Sequence, residues 1–354
     1  MVSAIRYLAW MHTFHPRAEL DLGRSGAPDY PAAKLLEGAS AELDDFEAPA
    51  RFRQAVADRY ELPASEILPT NGASGAIWAA YAAVLGVGDE ILVEEPTYEP
   101  IFAVAEGLGA RVRRFRRPAH RGFELLVEEV LAELGPGTRA VALTNPHNPT
   151  ALLAKDEILI ELARELDRRG VHLVVGEVYR ELVAPRTTIR KLAPNVIVAS
   201  SLTKAFGLGW ARAGWLSAPP SILERANDAL VHALGMMSPS QAAVGAIALS
   251  RIDAIAAELS REQEGKRELV EAFARKHQAT LIWSNPPPGS IFGFFRDQRG
   301  QDLRTVIEAG LENEGLLVVP GSFFGHEAGF RLGFVEKRQR LSEGLRRLER
   351  VLSL

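Results

Sequence analysis

Four short runs, Glu90 to Val93, Ala140 to Leu143, Leu173 to Val175 and Val196 to Ala199, are apolar along most of their length and bounded by turn residues. Between them lie segments with helical spacing, Gly75 to Leu85, Thr97 to Leu108 and Lys155 to Arg169, the first opening after Ser74 and the last after Pro149-Thr150. A strand that is apolar on both faces has to be covered on both faces. The alternation therefore predicts an α/β fold with a mostly parallel sheet between helical layers. Ligands of such sheets bind beyond the carboxyl ends of the strands.

After Trp215 the pattern changes. Pro219-Pro220 is followed by long helical stretches, Ser221 to His232 and Ser240 to Lys276, the second able to link two domains. The remainder reads as a smaller α+β unit, with strands Thr280 to Trp283, Ile291 to Phe295 and Phe330 to Gly333 and helices Asp302 to Glu314 and Glu336 to Leu352. The N-terminal forty residues show no core of their own and are expected to pack onto that unit. A chain of 354 residues suits two domains. The expected division is 40–240 for the large one and 1–39 with 241–354 for the small one.

Several classes are excluded. A net charge of −4 argues against a nucleic-acid partner, and the basic run Arg111 to Arg117 reads as a solvated strand edge leading into a loop. The chain has no cysteine, so disulfides, thiolate catalysis and cysteine zinc sites are out. Its eight histidines form no metal-binding pair. The N-terminal apolar run, broken by His12 and His15, is too short and polar for a signal peptide or a membrane span, and a cytoplasmic location is expected.

The stretch Ser201 to Gly214, S-L-T-K-A-F-G-L-G-W-A-R-A-G, places a hydroxyl three residues before Lys204 and Arg212 eight residues after it. A lysine of lowered pKa condenses with an aldehyde to a Schiff base. Pyridoxal phosphate is the usual aldehyde partner, and Ser201 with Arg212 offers its phosphate a hydroxyl and a bidentate charge.

Four other segments fit the same chemistry. Asn71-Gly72-Ala73-Ser74-Gly75 opens a helix, whose free amides and dipole favour a phosphate, although Ser74 reads equally as an N-cap. Tyr98 follows a strand end and could stack on a flat ring or simply serve the core. In Thr144-Asn145-Pro146-His147-Asn148-Pro149-Thr150 the prolines fix the direction of Asn148, which could donate to a phenolate oxygen and a carboxylate. Tyr179 could donate to the same phenolate, and Arg331 is a charge among apolar residues that needs an anionic partner.

Together these motifs resemble the fold type I pyridoxal-phosphate enzymes, specifically the class I/II aminotransferases and their compact branch typified by histidinol-phosphate aminotransferase. The likeness runs from about Asp21 to the C-terminus in the same motif order. It implies a mostly parallel seven-stranded sheet in the large domain, a homodimer and amino-group transfer between an amino acid and a 2-oxo acid. Lys204 would carry the cofactor and move the proton at the substrate Cα. Ala73, Ser74, Ser201 and Arg212 would hold the phosphate, and Tyr98 would stack on the ring. Asn148 and Tyr179 would bond the phenolate, and Arg331, with Asn148 and Gly26, would meet the substrate.

Three positions depart from the family. Gly176 stands where it has the aspartate that pairs with the pyridine nitrogen, and neighbouring Glu177 points to the other face of a strand. Phe46 stands near where a tyrosine reaches the partner's phosphate, and Ala151 replaces a glycine, for which a small backbone adjustment is expected. The missing counter-ion leaves open another chemistry at Cα, such as racemisation, decarboxylation or elimination, or a cofactor-binding protein without catalysis. Ser25-Gly26, the Phe46 region and the loop Gly321 to Gly325, with Phe323 and Phe324, are the candidates for the side-chain pocket.

Overall fold

The computed structural model describes residues 4–39 and 44–353, so the domain boundary drawn at residue 40 lies outside the described residues. The strands run in chain order β1 Leu20–Asp21, β2 Ile67–Asn71, β3 Glu90–Glu95, β4 Arg111–Arg116, β5 Thr138–Thr144, β6 His172–Gly176, β7 Val196–Ser201 and β8 Ala213–Ser217. They continue with β9 Leu281–Trp283, β10 Phe292–Asp297, β11 Leu316–Leu317, β12 Val319–Pro320 and β13 Gly329–Gly333.

A seven-stranded sheet has the order β2-β8-β7-β6-β5-β3-β4. Its neighbours pair in parallel except at β8, which is antiparallel to both β7 and β2. Alternate side chains of each strand enter opposite cores. Val174, Ile197 and Ala199 meet Ala76, Ile77 and Ala80 of the helix Gly72–Val84, while Leu173, Val175 and Val198 meet Leu159 and Leu162 of the helix Asp156–Asp167. Each of the valine, leucine and isoleucine side chains among these contributes about 1.5–3 kcal/mol by burial. The sequence pattern missed β2 and β8. Strand β2 carries Pro69, which cannot donate to a ladder and is tolerated because β2 lies at the sheet edge. Strand β8 begins inside the glycine-rich motif and spans five residues.

The stretch Ser240 to Lys276 is three helices rather than one, Pro239–Ser250, Ile252–Glu262 and Lys266–Lys276. The last break closes at Gly265, whose left-handed φ of +71° turns the chain into the helix that starts at Lys266. Helix Pro239–Ser250 packs its Ala242, Val244 and Leu249 into the core that holds Phe52 and Trp215. The C-terminal strands form an antiparallel sheet, β12-β13-β10-β9.

The N-terminal segment joins this part through β1, which pairs in parallel with β11. Before it, helix α1, Arg6–Phe14, sets Tyr7 and Trp10 against Phe323 and also reaches the large sheet's loops. The Glu99 carboxylate accepts from the Arg6 N–H at 3.0 Å and the Tyr7 N–H at 2.6 Å, capping the positive end of α1. Among the described residues no helix is long and apolar enough to cross a membrane.

Candidate active site

The carboxyl ends of β5, β6 and β7 lie side by side, with Thr144 opposite Gly176 and Gly176 opposite Ala199. Chain leaving these ends brings Asn148, Tyr179 and Ser201 with Lys204 to one cavity of about 430 Å³. The start of helix Gly72–Val84 adds Ala73 and Ser74, the end of β3 adds Tyr98, and Arg212 closes the rim. Gly26 and Arg331 stand behind this lining rather than in it.

One end of the cavity is built for an anion. Asn71 makes no side-chain cap to the helix behind it, so the first amides of Gly72–Val84 are free to point at a ligand. Gly72 has φ +72°, and a Cβ there would lie 3.0 Å from Arg212 Nη2, so only glycine leaves the guanidinium its place. Arg212 itself makes one long bond, 3.4 Å to the Asn71 carbonyl. Free helix amides, two serine hydroxyls and an uncommitted guanidinium are the donor set a phosphate monoester requires. The residues fit the cofactor there.

Lys204 faces this end from the short helix Thr203–Phe206. Burial, and then the charges of Arg331, Arg24 and Arg212, push its pKa down to about 8. A Cβ at position 26 would lie 3.3 Å from Lys204 Cδ, and the Ala27 N–H donates to the Lys204 carbonyl at 2.8 Å. Gly26 thus meets the lysine stem, where the sequence reading placed it on the substrate.

Arg331 is fully buried and has no carboxylate partner among the described residues. Nη1 donates to Asn148 Oδ1 at 3.0 Å, and Nη2 donates to the Tyr7 hydroxyl at 2.8 Å and the Gly23 carbonyl at 3.0 Å. Its Nε is left unpartnered. A buried cation with an idle donor is the observation that fits a carboxylate ligand. With Oδ1 on the arginine, the Asn148 amide NH2 is left to face the cavity.

Asn148 is held from below by a buried ion pair. Glu94 accepts from the Thr144 N–H at 2.7 Å, the Thr144 hydroxyl at 2.8 Å and Arg117 Nη1 at 3.0 Å, and Thr144 Oγ1 accepts from the Asn148 N–H at 2.9 Å. Arg117, read from sequence as part of a solvated run, is therefore buried, because Glu94 needs its charge. His147 bridges Pro96 and Thr150 at 2.8 and 2.7 Å, and burial holds its pKa well below the usual histidine range, so it is neutral.

At the far end, Gly176 faces Thr144 Cγ2 and Ile101, and among the described residues no carboxylate lines the cavity. Glu177 turns away, accepting from Thr188 Oγ1 at 2.8 Å and the Ile189 N–H at 2.9 Å, and burial pushes its pKa up to about 7. The Tyr179 hydroxyl donates to Ser25 Oγ at 2.9 Å, and burial pushes it up to about 12. Ala151 needs no backbone adjustment of the kind expected. It holds the glycine conformation itself, at φ +56°. Phe46 is 82 % exposed.

Sequence reasoning missed Tyr7, Ser25 as a hydroxyl partner, and Glu94. A stripe of large apolar residues at 7, 8, 10, 11 and 14 was the available sign of α1. A glutamate ending an apolar strand was the sign of the buried pair.

A lysine poised near neutrality, facing an anion cradle at the carboxyl edge of a parallel sheet, defines a pyridoxal-phosphate enzyme of fold type I. Residues 28–348 match the family of aminotransferase class I and II, and the chain belongs to that family. It is 26% identical to an aspartate aminotransferase of Streptomyces avermitilis, over 93% of this chain and 88% of that one. It is 29% identical to capreomycidine synthase of Streptomyces vinaceus, over 95% and 90%. A crystal structure of a PLP-dependent aminotransferase from Streptococcus suis superposes with TM-score 0.89 at 20% identity, covering 99% and 98% of the two chains, which speaks to fold.

Proposed function

We propose that the protein moves the amino group of an α-amino acid to a 2-oxo acid, with Lys204 as the carrier of pyridoxal phosphate. The observation that carries this reading is the placement of Lys204 in the same cavity as the anion cradle, where desolvation lowers its pKa. When bound, the cofactor supplies an aldehyde carbon that takes up the amino group and a ring that withdraws electrons from Cα. Lys204, an amine in a useful fraction near neutral pH, is the nucleophile and, once freed by substrate, the base for the Cα proton. Arg331 and Asn148 hold the substrate carboxylate, which fixes the Cα–H bond for abstraction. Ala73, Ser74, Ser201 and Arg212 would hold the cofactor's phosphate, and Tyr98 would pack against its ring. The Asn148 amide and the Tyr179 hydroxyl, released from Ser25, would donate to its ring oxygen.

Residues 40–240 are read as the cofactor-binding domain and the two termini, 1–39 and 241–354, as the smaller one. The working unit is read as a homodimer in the cytoplasm. A second reading is favoured by Gly176, which leaves the ring without a carboxylate: a different bond change at Cα with less need of the ring as an electron sink. The test is incubation of the holoenzyme with an amino donor and a 2-oxo acid. Equal amounts of new oxo acid and new amino acid, lost in Lys204→Ala, support transamination. Donor consumed without its oxo acid supports the second reading.

A further inference from the structure

The cavity around Lys204 continues into a chamber of about 330 Å³, lined on one side by Tyr7, Leu8, Met11 and His12 of α1 and on the other by Ser25. The two spaces share Leu8, Tyr98, Tyr179 and Lys204. A side chain borne on the carbon that Lys204 serves therefore has the chamber as its nearest space. We infer that α1 is the substrate-selecting wall of this site and that it admits α-amino acids with an uncharged, apolar or aromatic side chain. The inference rests on the aminotransferase reading above.

The chemistry of the wall excludes charge. Leu8 and Met11 are three residues apart and so share a face of the helix, and among the described residues no aspartate, glutamate or arginine lines the chamber. A substrate carboxylate or guanidinium placed against Leu8 and Met11 would meet no opposite charge on that face of the helix. Of the two histidines that also line the chamber, His15 is committed, its Nε2 lying 3.1 Å from Asp21 Oδ2, and His12 stands at the exposed rim.

Tyr7 joins this wall to the carboxylate clamp. Its hydroxyl accepts from Arg331 Nη2, which leaves its own proton for an incoming carboxylate. One turn of α1 thus reads both ends of the substrate, Tyr7 the group common to all amino acids and Leu8 with Met11 the group that differs. The helix is fixed in place. Glu99 caps its start, Trp10 Nε1 donates to Glu308 Oε1 at 3.0 Å, and the Trp10 ring packs on Phe323 at 5.0 Å. A preformed wall selects by shape and polarity.

The test uses the holoenzyme and follows the cofactor's visible band as single amino acids are added without an acceptor. Leucine, methionine and phenylalanine should half-convert it at concentrations roughly tenfold or more below aspartate, glutamate or arginine. Met11→Arg, on a half-buried position that tolerates the longer chain, should reverse the order of leucine and aspartate while keeping the band. Met11→Leu should keep the order. Tyr7→Phe should weaken all donors alike, raising KM more than it lowers kcat. A band converted best by a charged donor, or an order unmoved by Met11→Arg, overturns this inference alone. A Lys204-dependent band that no donor changes overturns it together with the aminotransferase reading.

Discussion

Gly176→Asp puts a carboxylate into the apolar corner of the cavity, and its effect should depend on the cofactor. An added Cβ would lie 3.3 Å from Thr144 Cγ2 and 4.0 Å from Ile101 Cδ1, so the side chain fits after a shift of a few tenths of an ångström. Without cofactor the new charge meets a methyl group and an isoleucine, and leaving it unpaired costs about 1–3 kcal/mol. A cationic ring nitrogen held within about 4 Å of it, at an effective dielectric of about 20, would return about 4 kcal/mol. The cost of the unpaired charge is borne by the apoprotein and takes nothing from the gain on binding, so even half of the attraction, about 2 kcal/mol, would raise cofactor affinity roughly thirtyfold. Titration of the apoenzyme with pyridoxal phosphate measures it, the NMR shift of a nitrogen-labelled cofactor reports the ring's protonation, and the transamination rate should rise with both. Unchanged or weaker binding in a variant with the wild-type circular dichroism spectrum would refute the reasoning and show a corner rebuilt around glycine.

Three further outcomes are expected. Because the free base of Lys204 is the reactive form and its pKa is about 8 against an ordinary 10.5, cofactor uptake should accelerate with pH up to about 8 and then level. The unfolded chain keeps that proton longer, so apoprotein stability should rise between those two values; uptake still accelerating toward pH 10 would contradict the assignment. Glu94→Gln should lose about 3 kcal/mol in urea unfolding by stranding the buried Arg117, and adding Arg117→Met should restore most of it. Equal losses in the single and double variants would count against the pair. Ala151→Gly should gain about 0.5–1 kcal/mol by relieving a left-handed alanine, less the added entropy of the unfolded chain, and a loss would mean the conformation is not strained.

The parallel core was legible because β5, β6 and β7 are apolar on both faces, a pattern that only a covered sheet satisfies. Eight cavity residues from Ala73 to Arg212 were legible for a related reason: strand ends and helix starts gather at one edge, so local motifs converge there without any knowledge of distant contacts. What sequence could not supply was long-range. Tyr7 meets Arg331 across 324 positions, and Glu94 reaches Thr144 across 50, so neither partnership leaves a local spacing to read. Gly176 was visible as a substitution, yet only the packing shows that Glu177 is occupied elsewhere and leaves the corner apolar.

Lys204 as the cofactor-bearing residue is the claim on which the rest depends. Borohydride reduction of the protein loaded with pyridoxal phosphate, followed by peptide mapping by mass spectrometry, tests it directly. The account predicts the pyridoxyl group on Lys204, with the visible band lost on reduction and both absent from Lys204→Ala. A pyridoxyl group on another lysine, or none on Lys204 at saturating cofactor, would contradict it.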